Sequence, residues 1–247
     1  METNTDGILD GFSSQLTDLR LLHLADSAFP IGMLAHSYGL ESLVAGDLLA
    51  VNNLESFLHD WLTEAGMLEA VFCREAFRLG QANPPVFSVE RWLEINCLLS
   101  ARKPARESRV ASVNVGRNFL STASALNDFP ALNKLLVTTR QGPELDRRAT
   151  HYCLVFGFVA GLLRFDGRRT ILTYLHQAIA NMISSCQRLL PLGQTEAVRI
   201  LWNLKPSIID TADRSTAYDC KSAYSFMPLL DWGAMEHPAL STRLFVS

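Results

Sequence analysis

A chain of 247 residues, 48% hydrophobic with mean hydropathy +0.11, is long enough to bury about 70–75% of its unfolded surface. Its net charge of −3, from 22 basic and 25 acidic residues, offers no basic excess for a nucleic acid or an anionic membrane. The five cysteines lie far apart without a C-x-x-C pair, which argues against a disulfide framework or a structural zinc site and for the reduced thiols of a cytoplasmic protein.

The N-terminal METNTDGILDGFSSQ is acidic and polar and has no apolar run of signal-peptide length. Residues 1–15 read as a disordered leader. Leu16, Leu19, Leu22 and Leu24 start a short helix, and the loop from Asp26 to Gly32 is pinned by Pro30 and Gly32. Helix resumes over His36-Ser37-Tyr38-Gly39-Leu40-Glu41. There Gly39 costs about 1 kcal/mol relative to Ala, which points to close packing or a functional need. A long helix follows from Leu54 to Leu79, with Asn53 as its cap and Gly80 near its end. Ser88 caps the next, which Pro104 breaks. From Ala105 to Thr122 the pattern is weaker, and Arg102, Arg106 and Arg109 make a basic stripe that is either a solvated face or a docking patch.

Pro130 opens a short helix that ends before Gln141-Gly142-Pro143. Residues Arg147 to Leu163 are almost wholly apolar, with Gly157 and Gly161 spaced for a close helix contact. The run is too short for a membrane span and reads as a buried helix. The stretch from Arg168 to Lys205 is the expected centre of the fold. Its apolar residues, Ile171, Leu175, Ile179, Met182, Cys186 and Leu189 among them, draw a helical stripe up to Pro191. Leu192-Gly193 turns the corner into a second amphipathic helix, which Pro206 ends. Gly193 is expected in a conformation that side chains resist.

With no strand alternation, the chain reads as all-α: one helical-bundle domain of about nine helices over residues 16–208, then an irregular tail over 209–247. The tail closes on Thr242-Arg243-Leu244-Phe245-Val246-Ser247, an apolar end without helical period. It either folds onto its own domain or docks on another chain, and a partner's groove is the favoured expectation, because exposed Leu and Phe cost roughly 1.5–3 kcal/mol each relative to burial.

Catalytic apparatus is not visible. The six histidines never fall in H-x-x-x-H or H-E-x-x-H spacing, so no metal site is expected from sequence-local ligands. His36 stands beside Ser37 and before Glu41, but no G-x-S-x-G elbow surrounds that serine, and His36 reads as packed or partner-facing. One other reading stays open: a helical enzyme assembled from distant residues such as His36, Glu41 and Arg199.

Specific strings then narrow the choice. Leu21-Leu22-His23-Leu24-Ala25-Asp26-Ser27-Ala28-Phe29-Pro30-Ile31-Gly32 with His36-Ser37-Tyr38-Gly39-Leu40-Glu41 resembles the N-terminal signature of the UreF family of urease accessory proteins. Glu107-Ser108-Arg109-Val110-Ala111-Ser112 with Gly116-Arg117, the Gly157 helix after His151-Tyr152, and Arg188-Leu189-Leu190-Pro191-Leu192-Gly193-Gln194-Thr195 with Arg199 follow in the family's order. Met235-Glu236-His237 and the Arg243-Leu244-Phe245 ending agree as well. Met33-Leu34 departs from the family, which often has an aromatic residue two positions after the loop glycine.

The resemblance implies an all-α, homodimeric, non-enzymatic chaperone. It would join a UreD (UreH)-type accessory protein and a UreG-type GTPase to load nickel into apo-urease, with no cofactor of its own and the nickel handled by the complex; a metallochaperone that binds nickel itself is the alternative. Carried over by position, it implies partner contacts at Pro30, Gly32, His36, Ser37, Tyr38, Gly39 and Glu41. Arg188, Pro191, Gly193, Gln194 and Arg199 are implied at the corner, and Arg243, Leu244 and Phe245 in the tail.

Overall fold

The computed structural model describes residues 5–82, 87–141 and 150–246, with side chains from residue 15 onward. Among them are twelve α-helices and no strand. In chain order these are α1 (Thr5–Leu24), α2 (Leu40–Ala45), α3 (Val51–Trp61), α4 (Met67–Gln81), α5 (Val89–Ala101) and α6 (Arg106–Leu126). The rest are α7 (Pro130–Gln141), α8 (Tyr152–Leu162), α9 (Gly167–Leu189), α10 (Gln194–Asn203), α11 (Lys205–Arg214) and α12 (Pro228–Glu236). One π-helical turn, Leu62–Gly66, joins α3 to α4, so the expected long helix is present with a widened turn inside it. The all-α expectation holds, with more helices than about nine because this helix is divided and the tail contributes α11 and α12.

The most enclosed element is α8, not the α9–α10 pair. Every residue from Tyr152 to Gly161 is buried, because this helix has no polar face to turn outward. It lies along α4, with α6 and α9 on its flanks. Gly157 permits the approach: a Cβ there would sit 2.1 Å from the Cys73 carbonyl oxygen of α4. The Gly157 and Gly161 spacing is therefore a helix–helix contact, as expected. Flanking Arg147 and Arg148, and the Gly142-Pro143 break, lie outside the described residues. Trp92, Phe87 and Phe158 form a tilted aromatic cluster on one side, and Phe119, Phe156, Tyr152 and Tyr174 a second. Such pairs add about 0.5–1.5 kcal/mol each beyond area burial.

Several local expectations are corrected. Helix α1 begins at Thr5, within the segment read as a disordered leader. Asn53 is not the N-cap of α3. Ala50 holds that place, and its N–H donates to Asn53 Oδ1 at 2.8 Å from three residues ahead. Ser88 does cap α5, accepting from Arg91 N–H at 3.1 Å. The helix expected to end at Pro206 stops at Asn203, and Pro206 sits in the first turn of α11, where a proline removes a donor that has no partner. Of the basic stripe, Arg106 is exposed, while Arg102 and Arg109 turn back onto backbone carbonyls. Arg102 donates to the carbonyls of Leu98, Lys221 and Ala223, and Arg109 to those of Lys103 and Pro104.

Candidate functional site

The N-terminal motif, Arg188 from the end of α9 and the tail, remote in sequence, meet on one side of α2 and α9. The loop before α2 is fixed first. Gly32 takes φ +73°, and Asn118 of α6 donates to the Ile31 carbonyl at 3.0 Å. Gly39, the N-cap of α2, takes φ +95°. A Cβ there would lie 2.7 Å from Ala234 N and 2.8 Å from the Leu230 carbonyl oxygen of α12. The need for glycine is thus a turn and a close approach together, at the start of a helix rather than within one. Tyr38 also has positive φ, 53°, a strained state for a residue with a large side chain.

Glu41 stands at the centre of the convergence. Its two oxygens accept from His237 Nε2 at 2.8 Å, Leu244 N–H at 2.5 Å and Phe245 N–H at 3.2 Å, and both side chains of the Glu41–His237 pair are buried. Val246 N–H donates to the Ala35 carbonyl at 2.8 Å. Arg188, from the last turn of α9, donates to the Leu34 carbonyl at 2.9 Å and places its guanidinium 4.3 Å from the centre of the Phe245 ring. His36 is buried beside Tyr38, and burial together with His237 lowers its pKa. Ser37 is fully buried.

The tail therefore folds onto its own domain, contrary to the expectation that Phe245 rests in a partner. Only 5% of Phe245 is exposed, while Leu244 at 53% and Val246 at 70% face outward, and Arg243 is at the surface. Sequence periodicity did not reveal α12. It carries His237 to Glu41, while the tail itself is held by Glu41, Ala35 and Arg188. His237 lies in the family ending, and nothing local to it signals a partner nearly two hundred residues away.

Other expected residues stay apart. Pro30, Pro191 and Gly193 are exposed, and Gln194 Oε1 accepts from Gln187 Nε2 at 3.0 Å across the outward bend of the corner. Gly193 has φ −67° and ψ 156°, with nothing within 4 Å of a built Cβ. The expected strained conformation is absent, because Pro191 has already ended α9 and Gly193 enters α10 from extended backbone. Arg199 pairs with Glu196 and approaches Glu55 of α3, away from the Glu41 cluster.

Behind Ser37 and Tyr38 lies a cavity of about 100 Å³, also lined by Glu69, Lys103, Tyr174 and Asp231. Lys103 pairs with Glu69 at 2.5 Å, and Tyr174 OH donates to the other Glu69 oxygen at 2.7 Å. Burial works against the Lys103 charge, yet Glu69 outweighs it and the Lys103 pKa rises. Burial raises that of Asp231, with Lys103 opposing. Among the described residues, no cluster of three or more His, Cys, Asp or Glu has metal-holding geometry, and no helix is long and apolar enough to cross a membrane.

The sequence profile of UreF matches residues 50–205, more than half of the chain. The chain belongs to the UreF family. It is 30% identical over 230 residues to urease accessory protein UreF of Bradyrhizobium diazoefficiens, covering 92% of this chain and 90% of that protein. It is likewise 30% identical over 242 residues to urease accessory protein UreF of Picosynechococcus sp., covering 94% of this chain and all of that protein. The profile leaves out the N-terminal motif and the tail, so the Glu41 cluster joins segments on both sides of the UreF match.

Proposed function

We propose that this UreF-family chain is a non-catalytic, cytoplasmic and homodimeric scaffold of urease maturation. It bridges a UreD-type accessory protein and a UreG-type GTPase while nickel passes to apo-urease, and it keeps no nickel of its own. The observation that carries this reading is the single surface made by the N-terminal motif, Arg188 and the tail around Glu41. Such a surface offers outward Leu244, Val246 and Arg243 on a fixed backbone, the features by which one protein recognises another: apolar anchors and a fork-shaped cation suited to a carboxylate. The buried histidine His36 is held neutral, and the carboxylate nearest His237 is taken up by backbone amides, an arrangement suited to holding chain segments and not to moving protons on a substrate.

Co-purification of the full chain with UreD-type and UreG-type proteins, singly and together, tests the reading. The expected result is a stable pair with the UreD-type protein and recruitment of the GTPase to that pair. Failure to join either one contradicts it, as does a sub-micromolar stoichiometric nickel site in the isolated chain.

A further inference from the structure

Glu41 is only 6% exposed and offers nothing for another protein to touch, yet three donors from the C-terminal segment converge on its two oxygens. Two of them are the consecutive amides of Leu244 and Phe245. An ionised carboxylate is acceptor-only and suits that arrangement, whereas an amide side chain would supply a single acceptor oxygen and turn its own N–H donors toward theirs. The bonds also set the register. In extended chain successive side chains point to opposite sides, so with these amides fixed Phe245 goes inward beneath Arg188 and Leu244 and Val246 go outward. A slip of one residue would bury Leu244 and turn Phe245 out.

We infer that Glu41 is a positioning residue for partner docking: from inside the fold it holds the tail in the one register that presents Leu244 and Val246 to the UreD-type protein. This rests on the docking role proposed above for the tail. Neither oxygen of Glu41 meets the partner. Its contribution is to order the tail before the encounter, which removes an ordering cost from association.

The test uses the full chain in three forms: unaltered, Glu41→Gln and Leu244→Asp. Each is measured for hydrogen exchange of the residue 244–246 amides, for melting temperature and for affinity to the UreD-type protein. Glu41→Gln is expected to speed exchange at Leu244 and Phe245 by at least roughly tenfold and to weaken binding by about the same factor. Leu244→Asp is expected to leave exchange slow and still weaken binding. Unchanged exchange in Glu41→Gln overturns the inference, as does faster exchange with undiminished binding while Leu244→Asp binds poorly. Full binding by Leu244→Asp instead sinks the docking role of the tail, so the two failures are told apart. If Glu41→Gln does not fold, Glu41→Asp keeps the charge and shortens the reach by one methylene. It is then held to the same two readouts, with the same results supporting or overturning the inference.

Discussion

Two glycines of the motifs differ sharply in what they do. Gly39 combines positive φ with a Cβ position already occupied by the backbone of α12, so Gly39→Ala is expected to cost about 2–4 kcal/mol. Gly193 sits in extended backbone facing open space, so Gly193→Ala should be neutral or stabilise by about 0.4–1 kcal/mol. Chemical denaturation of the two variants checks the contrast, and equal effects would contradict it. His151 supplies a pH-dependent test. Its ring nitrogens contact Ser100 at 2.8 Å and Ser112 at 3.1 Å, and burial, then Lys103 and Arg109, push its pKa from 6.5 down to about 3. The folded state therefore binds fewer protons than the unfolded one between those values. The stability this histidine contributes is present above pH 6.5 and is lost as pH falls toward about 3. The cost of His151→Gln should accordingly shrink below pH 6.5, and a cost that stays constant from pH 7 to 4 would refute the assignment.

At the scale of elements, the tail changes most from what its sequence suggests. Removing Ser241–Ser247 strips two amides from a buried carboxylate and uncovers the pocket of Phe245. That loss is about 2–4 kcal/mol, which lowers the melting temperature by roughly 5–15 °C for a domain of this size. A truncated chain that melts like the full one would show that the tail is not seated. Sequence periodicity did reveal α4, α5, α7, α8, α9 and α10, because each has a long apolar stripe or an explicit start such as Ser88 or Pro130. It missed α11 and α12. The first starts at a proline that reads as a stop, and the second, PLLDWGAME, is too short for its period to stand out.

For the whole molecule, the family was legible in ordered strings, but the arrangement of its motifs was not. Glu41, Arg188 and Phe245 come together through long-range contacts, and His237 joins Glu41 where α12 packs along α2 at Gly39 and Gly233, none of which leaves a mark on local pattern. Arg199 shows the converse, a motif residue whose partners, Glu196 and Glu55, lie elsewhere. The role proposed for this surface is nickel loading of urease. The most direct measurement is the nickel content of urease purified from cells that carry its structural subunits and the other accessory proteins, with and without this chain. Nickel-filled urease only when the chain is present is the predicted result. Equal nickel content in its absence would contradict that role.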